Sequence, residues 1–288
     1  MLPPQPSKAP VSLTGVAETL LIPLASRASD VVSGRPILGD RHAKDVLDRL
    51  DYDSQKVALG PVHNALLALR TRLFDVWTTS FLGRHPRATV LHLACGLDAR
   101  VLRVEWGKDV RWIDLDLPEV VALRREVLPD SVPGRDYRLL GASITGDDEG
   151  WLEEIPRDGK LVVIMEGLLS YLAEETVERL LRRFVEGPWE GELLFSCISP
   201  VVLKRSLEVG APKAVRDTGA AFQSAVESPE ALEDLYPGMK LLESISAIGV
   251  PGVEQAPVFT RFLLYLLSWI PSARDSGRYL RFQFGDIG

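Results

Sequence analysis

Thr89–Val90–Leu91–His92–Leu93–Ala94–Cys95–Gly96 is the stretch on which the fold turns. A short β-rich run ends on small residues, and a helical pattern follows over residues 98–106. A brief apolar run bounded by turn residues is how a strand covered on both faces reads. Downstream the same grammar repeats. Val110–Arg111–Trp112–Ile113–Asp114–Leu115–Asp116 is a second strand, and Pro118 opens a helix over 119–127. Residues 137–140 form a third, weaker strand. Residues 160–165 form a fourth, the most apolar, which closes at Glu166–Gly167. Over 174–185, Val177, Leu180, Leu181 and Phe184 fall on one helical face, and 192–198 is a fifth strand. Strands alternating with helices predict an α/β fold with a doubly wound, mostly parallel sheet. Residues 240–248 and 279–284 have β character and are expected as a closing pair at one sheet edge.

Upstream the chain reads as helical. A polar leader over residues 1–12 precedes pieces at 13–28, 43–50 and 61–82, the last with Pro61 in a tolerated first-turn position. In that long helix Leu66, Leu69, Leu73 and Val76 or Trp77 make one buried stripe. The expected organisation is an N-terminal helical cap over 1–84 and one α/β domain over 85–288. Within it, 201–228 has no strong period and carries Gly, Pro, Lys and Arg, so a lid insertion is expected at about 201–235.

With 33 basic against 40 acidic residues, the net charge of −7 argues against a nucleic-acid-coating surface. Two cysteines make no disulfide framework. The opening MLPPQPSKAP sets prolines where an exported chain needs an apolar run. The apolar stretch 262–270 is far shorter than the ~20 residues that span a bilayer; its 262–267 segment is read as core, with subunit contact the alternative. A cytoplasmic protein without membrane or nucleic-acid partners, monomeric or homodimeric, is expected.

In an open parallel sheet ligands bind outside the carboxyl ends of the strands, which selects few residues. After the first strand, Ala94, Gly96 and Ala99 stand where a dinucleotide fingerprint would place three glycines. One glycine in three argues against NAD or FAD, and such a turn alone is also a plain structural one. Twenty residues past Gly96 stands Asp116, suited to ribose hydroxyls, the alternative being that it only caps the helix that Pro118 begins. Asp114 is its competitor. Glu166 sits at the lip of the fourth strand, and the apolar continuation Gly167–Leu168–Leu169–Ser170–Tyr171–Leu172 suits a pocket wall better than a solvent loop.

The runs VLHLACGLDARVLRVEW, VRWIDLDLPEVVALRREVLP and MEGLLSYLAEETVERLL resemble the leucine carboxyl methyltransferase family. They are most similar to its bacterial branch, polyketide O-methyltransferases of the tetracenomycin type. ETLLIPLASRASD, the LDYD turn and ALRTRLFD fit that branch too, so the match runs through residues 13–200 and more loosely through the last 50. The resemblance implies S-adenosyl-L-methionine bound on a Rossmann-like class I methyltransferase sheet. By counterpart positions, Arg70 would meet the methionine carboxylate, with Arg27 near it. The backbone of Ala94, Cys95 and Gly96 would face the methionine part. Asp116 and Leu117 would take the ribose and Ser143 and Ile144 the adenine edge, with Glu166 and Gly167 at the amino-acid end. The chain departs from many relatives at Ala94 (often Gly), at Ser196–Cys197 (often an aspartate) and at Gln223–Ser224 (often an aromatic).

Methyl transfer is an in-line displacement in which the enzyme mainly aligns the partners. A carboxylate acceptor, with a pKa of about 4, needs no base, whereas a phenol at about 10 does. His42, His63, His85 and His92 are the four histidines and none offers itself as a base; His92 reads as packed within its strand. The expectation is therefore an O-methyltransferase acting on a small-molecule, polyketide-like carboxyl or hydroxyl group, with Arg70 and Tyr171 orienting the acceptor. Two alternatives stand beside it: methylation of a protein C-terminal carboxylate, and a non-methylating step that keeps the cofactor bound. No metal is expected. Cys/His ligand spacing is lacking, and Asp147–Asp148–Glu149 reads as a solvated charge run.

Overall fold

The computed structural model describes residues 8–146 and 148–285. The first seven residues of the leader and Asp147 of the acidic run lie outside the described residues. Seven strands form the central sheet: β1 Thr89–Leu93, β2 Arg111–Asp116, β3 Asp136–Gly141, β4 Leu161–Met165, β5 Gly191–Ile198, β6 Met239–Ser246 and β7 Gly277–Phe284. Their order is β3-β2-β1-β4-β5-β7-β6. The first five are parallel, and β7 runs antiparallel between β5 and β6. The expected closing pair is therefore present, with β7 inserted beside β5.

Strand order reverses between β1 and β4, where a parallel sheet opens a crevice at its carboxyl ends. Every residue of these two strands is buried, which explains why they read as unbroken apolar runs. The edge strand β3 instead exposes Asp136 and Arg138.

Three helices precede the sheet: α1 Leu21–Val31, α2 Arg41–Arg49 and α3 Pro61–Arg84. Leu69, Phe74, Trp77 and Phe81 of α3 share one core with Val90, Val162, Ile164 and Leu194, so α3 covers one face of the sheet. The alternate residues Leu91, Val163, Met165 and Phe195 point to the other face. There they meet Leu180, Leu181 and Phe184 of a helix that follows β4. Each such fully buried side chain contributes about 1.5–3 kcal/mol.

Three expectations need correction. The helix expected over 98–106 is a single turn, α4 Arg100–Arg103, after which Val104 is extended. Arg100 and Arg103, one turn apart on the same face, are drawn inward to Asp75, Glu166 and Asp40. Beyond α5 Pro118–Val127 and α6 Glu174–Val185, the region expected to be irregular carries α7 Pro200–Val209, α8 Lys213–Arg216 and α9 Pro229–Leu235. The segment 262–267, read as core, belongs to α10 Val258–Ser268, where Phe262 is 56% and Tyr265 59% exposed while Leu264 is buried. An unbroken apolar run wraps all round a helix, and only one stripe of it meets the protein. Among the described residues no helix is long and apolar enough to cross a membrane.

Candidate active site

The turn after β1 is held in an unusual shape. Ala94 has φ +50°, the one non-glycine with positive φ among the described residues, and Gly96 follows with φ +52°. The left-handed region costs an alanine about 1 kcal/mol or more. The surroundings impose it: Cys95 N donates to Leu115 O at 3.2 Å, and Gly96 N to Asp116 Oδ2 at 2.6 Å. The Arg124 guanidinium donates to the carbonyls of Gly96 (2.9 Å) and Asp98 (2.7 Å). Local strain of this kind collects where a backbone must meet a ligand. The Cys95 side chain packs against Val121 and Leu139 with its thiol 3.8 Å from Gly96 O, and burial pushes that thiol well above the ordinary range.

The two aspartates of β2 now separate. Asp114 is fully buried and committed: it accepts from Arg124 (2.7 Å), Trp112 Nε1 (2.8 Å) and Tyr137 OH (3.0 Å). Despite burial, Arg124 and His92 hold its carboxyl below the usual carboxylate range. Asp116, at the strand end, receives among the described residues only the N–H groups of Gly96 and Leu117, the latter at 2.8 Å. A carboxylate has about four acceptor positions, so capacity remains for hydroxyl donors. Burial raises its pKa against those two N–H groups.

Glu166, directly after β4, gathers the opposite wall. Arg70 Nε donates to its Oε1 at 2.8 Å, Thr71 Oγ1 to the same oxygen at 2.9 Å, and Arg100 NH2 to Oε2 at 2.5 Å. Although burial alone would raise it, Arg70 and Arg100 bring the Glu166 carboxyl down to about 2. Arg100 continues to Asp75 (2.7 Å), and Arg103 joins Asp75, Asp40 and Asp98. Buried charge on this scale is tolerable because each ion has a partner.

Arg70 differs from the other arginines. Its Nε is taken by Glu166, but its two terminal nitrogens make no hydrogen bond among the described residues and lie over Gly167. Glu166 and the nearby Tyr279 and Tyr171 raise its pKa against burial. Tyr171 packs on Phe222, with ring centroids 5.3 Å apart, and burial raises its phenol while Arg70 and Thr19 lower it. Tyr279, on β7, is buried and pushed up to about 12, again by burial first and with Arg70 opposing. Both phenols are therefore donors at neutral pH. Sequence reasoning missed Tyr279, Thr71 and Arg100; only the Arg-Thr pair itself was a signal.

The other expected residues are placed as follows. Arg27 is buried behind the turn, with Leu97 O at 3.3 Å, Asp40 at 3.4 Å and Asp98 at 3.9 Å, and is linked to Arg70 through the ion pairs that converge on Arg100 and Glu166. Ser143 is half-buried with its hydroxyl 3.0 Å from Thr145 Oγ1, while the Ile144 side chain enters the core. Leu117 precedes α5 at the mouth of the crevice. Gly167, at φ +69°, donates its N–H to Ser196 Oγ at 2.7 Å. Ser196 and Gln223 thus have structural tasks: Gln223 N and Nε2 donate to Ser170 O and Tyr171 O at 2.8 and 2.6 Å. His92 is packed between Arg100 and Asp114. Among the described residues no group of three or more His, Cys, Asp or Glu is placed to hold a metal ion.

Residues 19–185 match the family described as leucine carboxyl methyltransferase. The tetracenomycin polyketide synthesis O-methyltransferase TcmP of Streptomyces glaucescens is 37% identical over 275 residues, covering 95% of this chain and 98% of that one. The chain belongs to the leucine carboxyl methyltransferase family. It is an S-adenosylmethionine-dependent methyltransferase. A Gibberella zeae enzyme, the S-adenosyl-L-methionine-dependent methyltransferase dpfgK, is 36% identical over 82% of this chain and 84% of its own. In fold, the methyltransferase superposes on a DUF574-family protein from Streptomyces avermitilis with a TM-score of 0.56 at 12% identity, covering 91% and 97% of the two chains.

The residues present fit the cofactor that this family implies. The Ala94–Gly96 turn brings positive-φ backbone to the carboxyl end of the sheet, with Gly96 packed so closely on Leu20 that a Cβ there would stand 3.1 Å from the Leu20 Cβ. Asp116 keeps acceptor capacity at the strand end, and Arg70 offers two unengaged donors whose fork suits a carboxylate. When bound, the cofactor supplies the electrophilic methyl group.

Proposed function

We propose that this methyltransferase delivers its methyl group to an oxygen of a small-molecule acceptor, a polyketide-like or other specialised metabolite bearing a carboxyl or hydroxyl group. The observation that carries the reading is the Arg70 guanidinium, anchored through one nitrogen by Glu166 and flanked by two protonated phenols. Such a constellation orients anions and takes no proton from them: with the open edge of Arg70 on the methionine carboxylate, protonated Tyr171 is left to orient the acceptor, which suits a carboxylate already ionised at neutral pH. The likeness to TcmP over nearly its whole length supports the same class of acceptor.

In this reading Arg70, with Arg27 behind it, holds the methionine carboxylate. Ala94, Cys95 and Gly96 present backbone to the methionine chain, Asp116 and Leu117 meet the ribose, and Ser143 and Ile144 border the adenine. Glu166 and Gly167 shape the amino-acid end, and Tyr171 orients the acceptor. Residues 1–84 act as a helical cap and 201–235 as a lid beside the site, in a cytoplasmic enzyme without metal, membrane or nucleic-acid partners.

The test is product analysis. Purified enzyme with S-adenosylmethionine and a panel of aromatic acids and phenols should yield an acceptor heavier by one methylene and lose it on base hydrolysis if the product is an ester. Methylation confined to peptides ending in a free carboxylate would overturn the small-molecule reading. Cofactor-dependent turnover with no mass gain would point to a non-methylating step.

A further inference from the structure

A second feature lies at the carboxyl edge of the sheet, on the side away from β2. A cavity of about 670 Å³ sits over the end of β5, the end of β6 and the start of β7, within the size range of ligand sites. Val62 and Leu66 of α3, Val202 of α7, Ile248 beyond β6, and Leu263 and Leu267 of α10 supply apolar walls. The face of α3 that lines it continues to Arg70, one turn and about 6 Å past Leu66. The cavity therefore lies one helical turn along α3 from the Arg70–Glu166 wall.

Its charge is as informative as its shape. The chain carries 40 acidic residues, yet among the described residues no carboxylate lines this cavity. Its one permanently charged side chain is Arg205 of α7, exposed at the rim and without a hydrogen bond or ion pair among the described residues. Every other arginine singled out in the site is paired.

We infer that this cavity is the acceptor chamber, and that its occupant is an apolar small molecule, of a size that about 670 Å³ admits, carrying an anionic group that Arg205 meets. The inference rests on the methyl-transfer reading above and adds to it the place, the size class and the charge of the acceptor. Burial against the α3, α7 and α10 walls supplies affinity in proportion to apolar area, and a cation without a partner at the rim selects anions over amines. The chamber thus divides the labour with the β1–β2 side, which holds the cofactor.

The experiment uses the full chain and two fluorescent probes of similar shape: anilinonaphthalene sulfonate, an apolar anion, and phenylnaphthylamine, its uncharged relative. Val202→Trp fills the chamber and should weaken both probes at least about tenfold. Arg205→Glu is an exposed substitution that leaves folding intact; it should weaken the sulfonate about tenfold, as loss of a charge-assisted contact does, and leave the neutral probe within about twofold. Phe262→Ser, on the exposed outer side of α10, should change neither. Binding that follows Phe262→Ser and ignores Val202→Trp would place the probes on the outer helix face and overturn the chamber. Equal response of both probes to Arg205→Glu would overturn the anionic acceptor. Calorimetry with S-adenosylmethionine on the same proteins separates the two readings: a wild-type chain that binds probes but no cofactor sinks the methyl-transfer reading. Cofactor binding unchanged in Val202→Trp with probe binding also unchanged sinks the chamber alone.

Discussion

Glu166 holds Arg70 by a 2.8 Å hydrogen bond across ninety-six residues of chain, joining the end of β4 to the middle of α3. The pair fixes the guanidinium by its Nε and leaves its outer edge open. Because Arg100 and Thr71 also donate to Glu166, removing the charge there leaves Arg70 without its counter-ion and takes one of three carboxylates from Arg100. Glu166→Gln should destabilise the fold by about 3–5 kcal/mol, the usual result of breaking a buried ion pair from one side. Urea unfolding of the two proteins measures it. A loss below about 1 kcal/mol would show that water already shares these charges.

The same carboxyl sets an acid limit. Its folded value of about 2 lies below the ordinary value of 4.5, so its contribution is complete above the unfolded pKa and is lost as pH falls through the folded one. Asp98 and Asp114 are depressed in the same direction, each by arginine partners acting against burial. Stability should therefore fall steeply from about pH 4.5 toward pH 2, by a few kcal/mol in all. Glu166→Gln should flatten that fall. Denaturation midpoints collected at half-unit pH steps check both statements.

How far the sequence reveals this site depends on which forces write themselves into local pattern. The parallel strands were legible because burial on both faces leaves a continuous apolar run, as at Leu161–Met165. Asp116, Glu166 and the Ala94–Gly96 turn were legible because carboxyl ends of strands can be read directly. Arg100, by contrast, stands in what reads as an ordinary helix, and nothing local shows that it bridges Asp75 and Glu166. Tyr279 reaches the site only because β7 inserts antiparallel beside β5, opposite Ser196. The α10 segment misled for a related reason: its composition is that of a core, and only packing tells which stripe is covered.

Asp114 and Asp116, two residues apart on β2, should fail in different ways. Asp114→Asn leaves Arg124 buried without its counter-ion and should cost about 3–5 kcal/mol. Asp116 has no ion-pair partner among the described residues, but its two oxygens each accept a backbone N–H, so Asp116→Asn turns an amide donor against one of them and should cost about 1–3 kcal/mol, less than the loss at Asp114. Its distinctive effect is on binding: affinity for S-adenosylmethionine should fall at least about tenfold, the loss of one or two hydrogen bonds to a charged group. Paired thermal melts and calorimetric titrations distinguish the residues. Equal cofactor binding by wild type and Asp116→Asn would remove Asp116 from the ribose site.

Arg70 offers the sharpest separation of charge from geometry. Arg70→Lys keeps the cation but loses the fork that engages Glu166 with one edge and an anion with the other. It should bind S-adenosylmethionine about ten- to a hundredfold more weakly, while Arg70→Ala should also release Glu166 and lower stability. A lysine variant that binds normally would reduce Arg70 to a point charge.

Gly96 and Gly167 test the backbone cradle without touching a charge. Both have positive φ, so alanine at either costs about 1 kcal/mol from conformation alone. Their surroundings differ. At Gly167 the new Cβ would lie 3.4 Å from Arg70 NH2, an ordinary contact with a flexible side chain. At Gly96 it would stand 3.1 Å from the Leu20 Cβ, forcing the 3₁₀ turn Ala17–Leu20 to give way. Gly96→Ala should therefore be the more destabilising, by about 1 kcal/mol over Gly167→Ala, and should expose the segment around Leu20 to protease. Gly167→Ala should keep that segment protected and weaken cofactor binding by covering the open edge of Arg70. If the two variants show the same proteolysis pattern, the Leu20 contact does not close the cradle, and the strained turn acts on the cofactor alone.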